Sequence, residues 1–360
     1  MKHRIESVDI LRGFTIVAMI LVNNPGSWGS VYAPLLHADW HGLTPTDLIF
    51  PFFLFIVGIS IYFSYKNKPH TKATYRKILI RSLKLIGLGL FLAWFLPYFP
   101  FFKEFETLRF PGVLQRIGIV FFFSAILNLN CNWKVLLAIA ITILIGYWLF
   151  LDFVPLPDGS MPTFNRAQNN WVMFVDSYVL GEHMWKKDYD PEGILSTLTA
   201  IATCISGILI GKLLDGLKDV RLLFGVSILL LATGYVFNIW FPINKAIWSS
   251  SFVLVTSGWA ILILSIIYYL TDVKKVKFGS IFKYVGMNAI TIFFISSFIA
   301  KTFALVKVGE FSIHSWLYKN VVIQPFLTDK MASLLYALCV VIFYLTLGYV
   351  MYRKKIFIKV

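Results

Sequence analysis

Charge is the scarcest resource in this sequence. Only 14% of its 360 residues are Asp, Glu, Lys or Arg, against 58% hydrophobic. A soluble domain carries about 25% charged residues, so a soluble globular fold is excluded. Cysteine is nearly absent as well. Cys131, Cys204 and Cys339 stand singly, within or beside apolar stretches. They have no metal-ligand spacing and no disulfide logic, so no metal site is expected and packing is their reading. No small-residue cleavage site precedes the polar exit of the first apolar stretch, which is therefore expected to be retained rather than removed as a signal. The first half of the chain shows no repeat in the second.

What the sequence does contain is length of apolar chain. Stretches of 17 or more recur throughout, with 34 Phe, 17 Tyr and 11 Trp among them. This predicts an all-α, polytopic helical membrane protein forming a single domain over 1–360. About ten transmembrane helices are placed, at 9–24, 46–65, 78–98, 111–128, 133–151, 192–211, 221–239, 247–270, 281–303 and 331–351. The net charge of +15 does not indicate nucleic acid, because the basic residues cluster in short segments between spans. Segments on the N-terminal side carry 21 Lys or Arg and the opposite segments 10. That imbalance predicts cytoplasmic termini. Thirteen of the 18 acids fall on the opposite, outer side.

Three outer segments, 24–46, 152–191 and 301–330, are too elaborate for simple turns and are expected to shape a binding site. The segment 66–84 is basic and is readable as an interfacial helix. The 24–46 segment holds no Lys or Arg at all, yet it is the densest polar patch, with Asn23-Asn24-Pro25-Gly26 and then His37-Ala38-Asp39-Trp40-His41-Gly42-Leu43-Thr44.

Ionisable groups at or near membrane depth are functional candidates by default. His37 is the first, since imidazole shuttles protons near neutral pH and can attack an activated acyl group. Asp39 and Asp47 are candidates to orient it. His41 lies four residues on, but Gly42 and Pro45 oppose a helix there, and His183 reaches a shared metal only through long-range folding. Asn23 and Asn24 can cap the first helix or hold a substrate. Thr44, Pro45 and Asp47 read equally as a helix start. Asp9 and Arg12 are three apart and either pair with each other or grip a phosphate-bearing donor. Arg116, beside Gln115, needs a partner at its depth, with Asp47 and Glu192 the choices. Asn244 and Asn288 are polar interruptions that helix packing also explains.

Several blocks together resemble the heparan-alpha-glucosaminide N-acetyltransferase family. They are Ser7-Val8-Asp9-Ile10-Leu11-Arg12-Gly13, His37 through Thr44 continuing to Asp47-Leu48-Ile49-Phe50-Pro51, Pro111 through Ile117, Tyr189-Asp190-Pro191-Glu192-Gly193, and Asn244-Lys245-Ala246-Ile247-Trp248. The resemblance implies a transmembrane acetyltransferase that takes acetyl-CoA as donor from the cytosol and acetylates an amino-sugar or glycan amine on the far side; the charge distribution adds the expectation of a bacterial inner membrane with His37 periplasmic. It puts the catalytic histidine on His37 and the asparagine of the preceding span on Asn23. Asp39 and His41 stand where lysosomal members carry smaller or amide side chains. Under this reading Asp47 and Asp39 assist His37, while Arg12, Asp9, Arg116 and Asn288 serve the donor. Direct attack by the amine is favoured over an acetyl-histidine intermediate. A sugar or amino-sugar transporter is the rival reading. The aromatic surface suits membrane lipids and subunit contact equally, so a homo-oligomer is also among the expectations.

Overall fold

The computed structural model describes residues 5–217 and 219–358. Residues 1–4 and 359–360, the chain ends assigned to the cytoplasm by charge, lie outside the described residues. The protein is helical throughout. Its helices are α1 (Glu6–Asn23), α2 (Ile49–Tyr65), α3 (Lys72–Trp94), α4 (Val113–Asn130), α5 (Trp133–Phe153), α6 (Trp171–Leu180), α7 (Ile194–Asp215), α8 (Arg221–Phe237), α9 (Ser250–Tyr268), α10 (Ser280–Gly286), α11 (Ala289–Leu305), α12 (Ile313–Leu317) and α13 (Asp329–Arg353). A two-residue hairpin pairs Lys307–Val308 with Phe311–Ser312.

Six helical segments among the described residues are long and apolar enough to cross a bilayer, or seven if α10 and α11, bent by 80°, count as one broken span. Each of the ten expected spans falls on a helix or on that pair, but α1, α3 and α8 do not meet the criterion of length and composition. The causes are local. α1 has Glu6, Asp9 and Arg12 in its first half, α3 carries Lys72, Arg76, Lys77, Arg81 and Lys84, and α8 has 17 residues. The basic 66–84 segment is not a separate interfacial helix. It is a turn followed by the opening turns of α3, started by Thr71, whose side chain accepts from Thr74 N. α6 lies inside the 152–191 segment and begins at Asn170, whose side chain accepts from Val172 N and Met173 N.

α2 is the axis of the bundle. Nearly every residue from Ile49 to Ile61 is buried, because the helix is apolar all round. It crosses α7 at reciprocal glycines. A Cβ on Gly58 would stand 2.0 Å from the Cys204 carbonyl oxygen, and one on Gly207 would stand 1.9 Å from that of Phe55. Only glycine allows backbones this close. α1 meets α10 in the same way, through Gly13 and Gly286. The start of α1 is capped from a distance, with Asp272 accepting from Glu6 N at 3.0 Å and Ser7 N at 2.9 Å. Peripheral helices turn apolar side chains outward, among them Ile141 and Ile145 of α5, Ile228 and Leu229 of α8, and Ile342 and Phe343 of α13. Outward apolar faces on long apolar helices belong in lipid, and the chain is an integral membrane protein.

Candidate active site

His37 hangs from the segment between α1 and α2, over the N-terminal end of α2. Thr44 and Asp47 form a capping box there, with Pro45 in the first turn. One oxygen of Asp47 is committed to that turn. Oδ2 accepts from Thr44 N at 3.0 Å, Thr44 Oγ1 at 2.9 Å and Ala38 N at 3.1 Å. The other, Oδ1, faces His37 Nδ1 at 2.7 Å. An acceptor-only carboxylate at that distance fixes the hydrogen on Nδ1 and leaves Nε2 as the basic nitrogen. The imidazole is half exposed while Asp47 is buried, so a fixed carboxylate orients an accessible ring.

Lys245 completes the cluster from the loop between α8 and α9. Its Nζ lies 3.0 Å from His37 Nδ1 and 3.2 Å from Nε2, and 3.7 Å from Asp47 Oδ1. Burial pulls the Lys245 amine below the usual lysine range, with Asp47 offsetting part of the effect. Asn244 explains why the lysine is held there. Its amide accepts from Ile247 N and its Nδ2 meets His41 Nδ1 at 3.3 Å, while Gly42 N donates to Ile243 O at 2.8 Å. Gly42 sits at φ +113°, a conformation that suits glycine. The segments 37–47 and 242–249 are thereby laced together.

A cavity of about 350 Å³ opens beside this cluster and is lined by Asn23, His37, Asp39, Lys245 and Phe293, among others. Its far wall is built by the 152–191 segment. Arg109 holds Asp190 through Nε at 2.7 Å and Nη2 at 2.6 Å, and Glu192 at 2.5 Å. Burial opposes the Arg109 charge, but these carboxylates outweigh it and raise its pKa. Asp190 also accepts from Trp185 N at 2.8 Å. Trp40 donates to Phe164 O at 2.8 Å and packs edge-on against Tyr189, 5.1 Å between centroids. Asp176, buried behind this wall, accepts from Ile194 N at 2.8 Å, and burial pushes its carboxyl up to about 6.

A second cavity of about 470 Å³ lies toward the other end of the bundle, lined by Arg12, Ser60, Ser64, Arg81, Asn288 and neighbouring apolar groups. Arg12 Nη1 meets Asp9 Oδ1 at 2.8 Å and its Nη2 donates to Ser60 Oγ at 2.8 Å. The guanidinium of Arg81 lies 4.7 Å from the Phe121 ring centroid, and its Nε is buried without a hydrogen-bond partner among the described residues. The two cavities nearly touch. On α2, Phe50 lines the first and Phe53 the second; on α11, Phe293 lines the first and Ile290 the second. Three residues of helix rise about 4.5 Å, so the partition is about one helical turn thick.

The sequence candidates separate accordingly. His37, Asn23, Asp39 and Asp47 share the first cavity. Asp47 alone of the two aspartates meets His37; Asp39 is exposed and makes no hydrogen bond to it among the described residues. The two asparagines divide their roles. Asn24 Nδ2 donates to Ile20 O at 2.7 Å as a helix cap, while the exposed Asn23 side chain faces the cavity. Arg12 and Asn288 line the second cavity, and Asp9 reaches it through Arg12. Both ends of the Asn288 amide are engaged by the C-terminal segment, at Ile356 O and Ile358 N.

Arg116 lines neither cavity. It is buried against the Trp248 ring, 5.0 Å from its centroid, and donates to Gly193 O at 3.0 Å and to the Ser196 hydroxyl. Neither Asp47 nor Glu192 forms an ion pair with it; Glu192 is held by Arg109. His41 binds Asn165 Oδ1 at 3.0 Å, and His183 binds Leu108 O at 2.7 Å while stacking on Phe110. The 301–330 segment braces the 24–46 segment from behind, with His314 Nε2 at 3.1 Å from Pro25 O. Lys245, Arg109 and Arg81 were not among the sequence candidates. A single basic residue in the short 240–246 segment was the available signal for Lys245.

Comparison with known proteins places the chain in a family. A family model described as heparan-alpha-glucosaminide N-acetyltransferase, catalytic, matches residues 4–191, just over half of the chain. The human protein named heparan-alpha-glucosaminide N-acetyltransferase is 30% identical, covering 99% of this chain and 60% of its own length. The mouse protein of the same name is 28% identical, covering 99% and 61%. The chain spans about 60% of the length of these curated relatives.

Proposed function

Because the chain belongs to the heparan-alpha-glucosaminide N-acetyltransferase family, we propose that it is a transmembrane N-acetyltransferase. In this reading acetyl-CoA enters the Arg12 cavity and an amino-sugar or glycan amine enters the His37 cavity. The supporting observation is the pair of cavities set end to end across a partition about one helical turn thick. A thioester arm spanning that partition brings its carbonyl beside His37, while its phosphates stay with Arg12 and Arg81, whose guanidinium donors suit phosphoryl oxygens.

The chemistry follows from the cluster. The amine attacks the thioester carbonyl, a C–N bond forms and the C–S bond breaks. His37 Nε2 takes the proton lost by the amine and returns it to the departing thiolate, so the products are an N-acetyl amine and CoA thiol. Asp47 holds Nδ1–H and supports the transient imidazolium. The Lys245 ammonium and the Asn23 amide stabilise the tetrahedral oxyanion. Direct attack is favoured over an acetyl-histidine, because Asp47 orients the ring as a base.

The expected setting is a bacterial inner membrane crossed ten times, α10–α11 as a broken span, with cytosolic termini and His37 periplasmic. The lysine and arginine imbalance, 21 against 10, supports that orientation. The test is purified protein supplied with radiolabelled acetyl-CoA and glucosamine. Labelled N-acetylglucosamine with matching CoA release is the expected result. Folded protein that binds glucosamine and acetyl-CoA but forms no product would overturn the reading.

A further inference from the structure

A third and larger cavity, about 770 Å³, lies between the His37 ends of α3, α4 and α11. It adjoins the His37 cavity, sharing Arg109, Val113, Trp185 and Phe293 with it. Its walls are largely apolar, from Leu92 of α3 and Leu96 just beyond it to Leu114 of α4 and Leu305 of α11, and two lysines, Lys103 and Lys301, look into it with no carboxylate in the lining. Arg109 is already neutralised by Asp190 and Glu192. Lys301 Nζ donates to Leu92 O at 2.7 Å and Ala93 O at 3.2 Å, which leaves one N–H of the ammonium for a ligand. Lys103 is held at the rim by main-chain pairing, its N donating to Trp94 O at 2.9 Å and its O accepting from Trp94 Nε1 at 2.8 Å.

The rim carries a second, independent signal. The segment holding Lys103 displays Tyr98, Phe99, Phe101, Phe102 and Phe105 to the outside, Phe99 being 84% exposed. Exposed Phe rings at the end of a helical bundle suit lipid contact, and Tyr98 and the exposed Trp94 beside them are the amphipathic aromatics of the membrane–water interface. The cavity mouth is thus set at headgroup height, with an apolar interior and an unmatched pair of cations. Glu104 and Glu106 of the same segment do not line it.

We infer that this cavity binds a lipid phosphate carrying the acceptor amino sugar: the phosphate between Lys103 and Lys301, the hydrocarbon along the α3–α11 wall, and the sugar passing Trp185 into the His37 cavity. A soluble acidic glycan would use the cations but not the apolar walls or the aromatic rim. The inference deepens the proposed acetyl transfer and rests on it for the role of the sugar, but the binding of lipid phosphate is separately measurable.

The experiment uses the full chain in detergent micelles with two readouts. The first is retention of a polyprenyl phosphate by native mass spectrometry, for the wild type and for Lys103→Gln/Lys301→Gln. The second is acetylation of polyprenyl-phosphate-linked glucosamine against free glucosamine. The wild type is expected to retain the lipid and to prefer the linked acceptor by about tenfold or more in kcat/KM, and the double variant to lose both while its turnover of free glucosamine stays within about twofold, since charge-assisted phosphate contacts are removed and the His37 cluster is untouched. Lipid retention in the wild type that disappears in the variant upholds the cavity assignment even if no acceptor is acetylated, a result that would count against acetyl transfer alone. Turnover of free glucosamine with no lipid retained, or equal retention by wild type and variant, overturns the cavity assignment and leaves acetyl transfer standing. Lipid retained by the wild type alone, with equal acetylation of free and lipid-linked glucosamine, overturns the presentation of the sugar by this cavity while the lipid-phosphate site stands.

Discussion

The two ends of the bundle solve the problem of buried charge differently. At the Arg12 end the guanidinium lies in a pocket with its carboxylate partner, a serine and a carbonyl, all on packed helices. At the His37 end the ionisable groups come from loops, 37–47, 95–112, 152–191 and 240–249, with Trp40 Nε1 donating to Phe164 O and Gly42 N to Ile243 O between them. Helices hold a static cation among fixed dipoles. Loops let an imidazole, a carboxylate and an ammonium converge from distant parts of the chain, a requirement of proton transfer rather than of binding. Under the proposed acetyl transfer, donor binding falls to one end and chemistry to the other, and variants can break that division.

His37→Ala carries the largest expected effect, a loss of about 10³-fold or more in kcat with acetyl-CoA affinity unchanged, as removal of a general base gives. Parallel turnover and equilibrium CoA-binding measurements check it, and a CoA affinity that falls with activity would erase the division between the ends. Asp47→Asn should lower kcat by about 10²-fold and shift the pH profile, because the amide no longer selects the Nδ1–H tautomer. It should also cost about 1 kcal/mol of stability through the lost cap, read from thermal unfolding.

Arg12→Ala should raise the KM for acetyl-CoA by about tenfold and leave kcat at saturating donor nearly intact. A fall in kcat alone would place Arg12 in the chemistry instead. Asp39→Asn should change kcat by no more than about threefold, since Asp39 lines the cavity without meeting His37.

The smallest effect is on pH dependence of stability at the back wall. Burial raises Asp176 to about 6, so the folded state holds this proton more tightly than the unfolded chain. The associated stability is complete below about pH 4, the ordinary carboxylate range, and is lost as pH rises toward and through 6. The midpoint of thermal unfolding should therefore decline across that interval in the wild type and decline less in Asp176→Asn. Identical slopes would mean that Asp176 is not held protonated in the folded chain.

How much of this was legible in the sequence depended on separation along the chain. His37, Asp39 and Asp47 fall within eleven residues, so their cluster could be read from one segment, and the choice of Asp47 over Asp39 followed only once the capping box set its orientation. Lys245 is 208 residues from His37, and no periodicity links a loop before α9 to one before α2. Arg116 illustrates the opposite error. Its depth in the fourth span called for an acidic partner and the family reading set it with the donor, whereas the fold closes Trp248 and Ser196 over it. Hydropathy located every long helix, but it is blind to direction and so ran straight through the 80° bend between α10 and α11. The sequence marked that spot only by Gly286 and Asn288.

The interlocked glycines of α2 and α7 bear on the rival transporter reading. Alternating access by rocking requires helices beside the substrate path to slide or hinge against each other. Here the backbone at Gly58 and Gly207 is pressed against the opposing chain with no room for a methyl group, and the same α2 carries Phe50 and Phe53 on either side of the partition. Under the proposed acetyl transfer, the arm of the thioester would pass this seam between the Phe50 and Phe53 rings, the side chains that separate the two cavities on α2.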